Sequence, residues 1–208
     1  MLQCIPTDKK DIFNITINDE DYCKIHSSIF GKKPSLPSFN EHSEWETAFK
    51  EQEYQKALIF ILKKLSQRTY LSAEIQKLLQ ERLVSRPNIE KIVSKCKDLG
   101  YLNDSTTIES FIQSQNRKGY GPQNTLIKLL KKGVDRQEAS QIMAEWDKSQ
   151  DSGTRALEVL TKKCQFRPMK NRRDQQKMIA FLLRKGFSLS VSIEVIKLVI
   201  NKPLDFEN

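Results

Sequence analysis

Beyond Glu44, apolar residues return every three or four positions almost to the end of the chain, the spacing that lines one face of an α-helix. Only the front of the chain departs from it. Ile12, Phe13, Ile15 and Ile17 precede Asn18-Asp19-Glu20-Asp21, and Tyr22, Cys23 and Ile25 follow. Polar turn formers between β-rich runs predict a hairpin within residues 11–30. Gly31-Lys32-Lys33-Pro34 and Pro37-Ser38 then break the pattern and read as a linker. Residues 1–40 are therefore expected to form an acidic front segment, mobile or loosely docked.

The helical part divides into three similar stretches. In residues 41–102, Trp45, Ala48, Phe49, Ala57, Ile61, Leu62 and Leu65 predict one long helix or two abutting ones. A second helix begins near Ser72 with Ile75, Leu78, Leu79 and Leu83 as its buried stripe, and a third starts at Pro87-Asn88 and stops at Gly100. In residues 103–150, Asn103-Asp104 and Asp135 are candidate helix caps, Pro122 suits a first helical turn, and Gly133 suits a helix end. Residues 151–208 repeat the plan, with Lys185-Gly186 closing one helix and Pro203 preventing continuation of the last.

The repetition is visible at the residue level. Gln67-Arg68-Thr69-Tyr70-Leu71-Ser72, Arg117-Lys118-Gly119-Tyr120-Gly121-Pro122 and Arg184-Lys185-Gly186-Phe187-Ser188-Leu189 each place cations and an aromatic ahead of a helical apolar run. The second and third copies align without a gap. Internal repeats dictate architecture. The predicted fold is mainly α: tandem three-helix repeats in an elongated curved array, with a small N-terminal β-hairpin, each repeat leaning on its neighbours for stability.

Charge changes the picture next. The net charge of +9 is unevenly spread, residues 1–53 carrying 6 Lys/Arg against 10 Asp/Glu and residues 54–208 carrying 29 against 16. A basic body of this kind suits phosphate-rich or acidic protein partners, although solubility alone would also be served. Cys4, Cys23, Cys96 and Cys164 form no CxxC or Cys/His cluster, so no metal or other cofactor is expected. His26 and His42 lie in the polar front region without a matching nucleophile, and Gly119-Tyr120-Gly121 lacks the remaining glycine of a dinucleotide fingerprint. Enzymatic chemistry is not expected. No span approaches the apolar length of a membrane helix, and the N-terminus has no signal-peptide core. A monomer in the reducing cytoplasm is the simplest expectation.

Two basic clusters are the candidate contact sites. Lys162, Lys163, Arg167, Lys170, Arg172, Arg173, Lys177, Arg184 and Lys185 are opposed by the single acid Asp174, and Arg117, Lys118, Lys128, Lys131, Lys132 and Arg136 by Asp135. On one face they would line a nucleic-acid backbone or an acidic protein groove. The plainer reading is a solvated surface with cations near helix C-termini. Arg68 is a further candidate, unless it pairs with Glu74. Tyr70, Tyr120 and Phe187 either stack on bases or pack at the turns between helices.

These stretches together resemble the RecX family, bacterial regulatory proteins of the RecA recombinase. The resemblance runs from about Glu53 to Val199. It rests on Leu65-Ser66-Gln67-Arg68-Thr69-Tyr70, Leu99-Gly100-Tyr101-Leu102-Asn103-Asp104, Arg117-Lys118-Gly119-Tyr120-Gly121-Pro122, Leu129-Leu130-Lys131-Lys132-Gly133-Val134 and Phe181-Leu182-Leu183-Arg184-Lys185-Gly186-Phe187-Ser188. Phe13-Asn14-Ile15-Thr16-Ile17 resembles the front hairpin of some members, whereas Leu71 stands where the family usually has a capping Ser and Asn103 where it usually has Asp. The resemblance implies a non-enzymatic regulator of recombination and repair. It would lie in the groove of a RecA filament on single-stranded DNA, touching the DNA directly or through RecA, and restrain ATP hydrolysis, strand exchange and coprotease activity. The alternative is a stand-alone basic helical DNA-binding protein.

Overall fold

The computed structural model describes residues 2–37, 42–149, 151–166, 169 and 171–201. The chain divides into two compact units, Met1–Thr107 and Ile108–Asn208. The first opens with a three-stranded antiparallel sheet, β1 (Leu2–Pro6), β2 (Ile12–Ile17) and β3 (Glu20–His26), in that order. Asn18 and Asp19, at φ 52° and 66°, make the β2–β3 turn, the two positive φ values a tight hairpin needs. The hairpin is the one expected from the sequence. The sequence did not announce β1, which extends it by pairing Leu2 with Ile17 and Cys4 with Ile15.

The front segment is not loosely docked. Ile15 and Ile25 are fully buried in one core with Trp45, Phe49, Ala57, Ile61, Ile75, Leu79, Ile92, Cys96 and Leu102. Those residues come from α2 (His42–Leu65), α3 (Ser72–Gln80), α4 (Arg86–Asp98) and the turn after it. The one-turn helix α1 (Ser27–Phe30) adds Ile29 and Phe30. Tyr22 meets Trp45 and Phe49 edge-on at centroid distances of 5.1 and 6.1 Å, and Phe49 stacks on Trp45 and Phe30. Large rings buried on both sides of the sheet–helix contact outweigh the polar composition that suggested mobility.

In the second unit α5 (Asp104–Arg117, its first turn belonging to the front unit) is followed by α6 (Pro122–Lys131) and α7 (Arg136–Ser149), then α8 (Ser152–Phe166), α9 (Arg172–Lys185) and α10 (Leu189–Asn201). Ile108, Ile112, Leu129, Ala139 and Met143 are buried in the first three helices, and Val134 in the turn between α6 and α7. Ala156, Leu160, Cys164, Met178, Leu182, Phe187, Val195 and Ile196 form the core of the last three. The helix boundaries follow the caps. Asn103 Oδ1 accepts from Thr106 N, Asp135 Oδ1 from Gln137 N at 2.8 Å, Asp151 Oδ1 from Gly153 N and Asn171 Oδ1 from Asp174 N. Gly100, Gly133 and Gly186 follow helix ends at φ 73°, 89° and 93°, where an αL residue closes the last turn.

Candidate functional site

The second and third copies of the repeated signature meet. Gly121 N donates to Lys185 O at 2.7 Å, Gln123 N to Gly186 O at 3.1 Å, and Asn124 Nδ2 to Arg184 O at 3.1 Å. The last carbonyls of α9 and the first N–H groups of α6 are the groups a helix leaves unpaired, and here they satisfy one another. The negative end of one helix dipole thus abuts the positive end of the other. A side chain at Gly121 would place its Cβ 2.5 Å from the Gly186 carbonyl, and one at Gly186 would fall on the backbone of Asn124. Gly186 matches Gly119 of the second copy, whereas Gly121 falls opposite Ser188; Gly121 and Gly186 are the two glycines that serve this backbone contact.

Cations complete the joint. Lys185 Nζ donates to Lys118 O at 3.1 Å, on the last turn of α5 and its exit. Lys128 Nζ lies 3.1 Å from the centroid of Tyr120, Lys185 Nζ lies 4.6 Å from it, and Lys128 also donates to the buried Gln115 Oε1. Arg155, which no motif singled out, stacks over Trp146 at 4.2 Å and donates to Tyr120 O and Asn116 Oδ1. Burial pulls its guanidinium below the ordinary value despite Asp147 and Glu158 nearby.

The predicted site residues therefore separate by environment. Lys128 and Lys185 are built into the joint, Lys132 sits over Phe111 at 5.3 Å, and Lys163 over Phe181 at 5.7 Å. In the front unit Arg68 stacks on Tyr70 at 3.6 Å and reaches Glu74 Oε1 at 3.5 Å, the intra-unit pairing weighed as its alternative. Arg117, Lys118, Lys131, Lys162, Arg172, Arg173 and Arg184 are exposed, as are Lys163 and Arg68 beside their rings. Arg167 and Lys170 lie outside the described residues. Phe187 is 1% exposed, so for it the packing reading holds and base stacking does not.

The exposed cations differ in what the fold asks of them. Arg117, Lys131 and Arg184 occupy last helical turns, where the dipole favours positive charge. Arg172 and Arg173 open α9. There the dipole opposes them, and only Asp174 in the same turn offsets the cost.

The front unit holds a polar centre that the motif search missed. Glu53 is 4% exposed, and its Oε2 accepts from Asn88 Nδ2 at 2.7 Å, from Ser85 N at 3.2 Å and from Ser85 Oγ. Asn88 also donates to Lys50 O. This carboxylate caps α4 from α2. Its signal was present: Phe49, Glu53, Ala57 and Ile61 follow one another at intervals of four, so Glu53 interrupts an apolar row. A second cap of this kind is Asp104 Oδ1, which accepts from Ser72 N at 2.7 Å and serves α3, where Leu71 has no side-chain acceptor; Glu74 Oε2 accepts from Leu71 N.

Titratable groups show no catalytic pairing among the described residues. Burial, then Glu53, pushes the Cys23 thiol up to about 12, and burial with Glu46 pushes Tyr22 up to about 12. Cys96 and Cys164 are buried, as apolar packing of a free thiol predicts, and burial raises both. His26 Nδ1 accepts from Ser28 N at the start of α1. No group of three or more His, Cys, Asp or Glu among the described residues could hold a metal, and no described helix is long and apolar enough to cross a membrane.

Comparison with known proteins bears on the whole arrangement. Residues 151–196 match the model of the third three-helix domain of RecX. Regulatory protein RecX from Escherichia coli O1:K1, from Escherichia coli K12 and from Shigella boydii serotype 18 are each 40% identical over 58 residues, 28% of this chain and 35% of the relative. The match thus spans about a third of the length of these curated relatives. A crystal structure of a regulatory protein RecX superposes with a TM-score of 0.61 at 21% identity, covering 94% of this chain and 97% of that one. RecX from Lactobacillus salivarius does so with a TM-score of 0.61 at 24% identity, covering 72% and 97%. The third helical repeat is thus similar in sequence to that of RecX, and the chain shares the fold of RecX crystal structures along nearly its full length.

Proposed function

We propose that this protein regulates homologous recombination and DNA repair without catalysing a reaction. It binds the RecA filament on single-stranded DNA and restrains its ATPase, strand-exchange and coprotease activities. The observation that carries this reading is the pair Arg172 and Arg173. Both are exposed, both lie within the stretch matched to the family's third domain, and both stand where the helix dipole opposes them. Charge retained against the stability of its own helix fits an anionic partner, such as DNA phosphates or carboxylates of a filament protomer. Lys162, Arg117, Lys118, Lys131 and Arg184 extend the basic surface of the second unit, while Lys128 and Lys185 hold Tyr120 and the joint in place.

The test is ATP turnover by the cognate RecA on single-stranded DNA. Adding the protein is expected to lower it. Unchanged turnover at saturating protein and low salt would refute the reading. A parallel titration with an oligonucleotide alone separates the filament reading from stand-alone DNA binding, because the latter needs no recombinase and weakens steeply with salt.

A further inference from the structure

The front unit carries a groove that its fold does not use. It measures about 430 Å³ and lies between α1 and the second half of α2, with Ile29, Ile59 and Phe60 as its apolar floor. Lys56, Lys63 and Lys64 line it as well, and no acidic residue does. The surrounding sequence is equally one-sided, since residues 54–65 contain no Asp or Glu whereas Glu44, Glu46, Glu51 and Glu53 crowd the first half of the same helix. Ile59 is 66% exposed, on the face of α2 opposite the completely buried Ala57 and Ile61. An isoleucine left open among three lysines contributes little to the core.

We propose that this groove binds a short acidic peptide segment carrying one large apolar side chain. The apolar side chain sits on Ile59, Ile29 and Phe60, and flanking carboxylates meet Lys56, Lys63 and Lys64. The lining residues of α2, from Lys56 to Lys64, span about 12 Å at the helical rise, room for about three or four extended residues. Charge complementarity selects the partner class, and the floor distinguishes peptide from nucleic acid. Phosphates need the cations alone, and bases stack on aromatic faces. Here two of the three floor residues are aliphatic, and Lys64 and Arg82 already lie 5.7 and 5.1 Å from the Phe60 ring. A second copy of this chain, at a net charge of +9, is disfavoured by repulsion. The inference is independent of the filament reading, because it concerns the front unit and its test contains no recombinase.

The test uses fluorescence anisotropy on the full chain with two labelled Glu/Asp-rich peptides, identical except for a central Phe in one and Ser in the other. The Phe peptide is expected to bind about tenfold more tightly, the size expected from burying much of one aromatic side chain. Ile59→Ser is expected to abolish that preference without moving the melting temperature, and Lys63→Glu with Lys64→Glu to weaken both peptides. Equal binding of the two peptides by the native chain, or a preference that survives Ile59→Ser, overturns the proposal. So does a groove occupied otherwise: oligo(dT) binding that Ile59→Ser removes, or self-association of the protein alone that the same substitution removes.

Discussion

Gly121 and Gly186 stand where two helix ends touch through bare backbone, and each excludes a side chain for its own reason. Gly121 has an ordinary φ of −83°, so alanine there brings only the steric clash with the Gly186 carbonyl, about 3 kcal/mol of destabilisation. Gly186→Ala adds left-handed strain at φ 93° to a clash with Asn124, about 4 kcal/mol together. Gly100 has φ 73° but nothing within 4 Å of an added Cβ, so its alanine variant loses only about 1 kcal/mol. Urea unfolding of the three variants checks this order. Glu53→Ala removes the shared acceptor of Asn88 and Ser85 inside the front unit, and leaving those donors unpaired is expected to cost about 3 kcal/mol by the same assay. Gly119 and Gly186 were legible in the sequence as a repeated signature, and Gly121 as part of its second copy. Their purpose was not, because the Lys185–Gly121 contact joins residues 64 positions apart.

At the scale of elements, the helix caps make a statement about acid. Backbone N–H groups of Glu138 and Gln137 hold the Asp135 carboxyl below its ordinary range, and the Thr154 hydroxyl, with the backbone N–H groups of Gly153 and Thr154, does the same for Asp151. A carboxyl depressed by folding adds stability that is fully present above its unfolded value, about 4, and fades as pH falls through the folded value. Asp135→Asn and Asp151→Asn are therefore expected to lower the urea midpoint at pH 6 and to lose that deficit progressively as the pH falls below about 4. An equal deficit at both ends of the range would mean that these caps act without their charge. Helix positions were readable here because caps and periodicity are local properties: Asn103, Asp135 and Gly133 each lie within a few residues of the boundary they set. Strand β1 was not readable. Its apolar side is Leu2 and Cys4 with partners in β2, and a strand that short takes its stability from pairing and burial rather than from its own pattern.

At the scale of the molecule, charge connects the chain to its proposed work. Arg172→Glu with Arg173→Glu is expected to weaken inhibition of RecA ATP turnover by at least about tenfold in protein concentration, since several phosphate or carboxylate contacts would turn repulsive. Far-ultraviolet circular dichroism should stay unchanged, because glutamate in a first helical turn suits the dipole better than arginine does. Undiminished inhibition would place the contact on other exposed cations, with Lys131 as the next substitution. Lys185→Glu offers a contrast, because it breaks the bond to Lys118 O and the approach to Tyr120 and should lower stability as well as inhibition.

The amino-acid order determined the helical periodicity, the caps that start and stop each helix, the hairpin turn at Asn18-Asp19 and the uneven charge, since each is written in residues close together along the chain. Tertiary contact decided which cations are taken up by Tyr120 and Phe111 and which stay exposed, and it anchored the N-terminal segment through Trp45, Phe49 and Tyr22. It also turned Glu53 from one more helix carboxylate into a buried cap. The physical reason is common to all three: burial and hydrogen-bond partnership depend on residues tens of positions away, and local spacing carries no record of them.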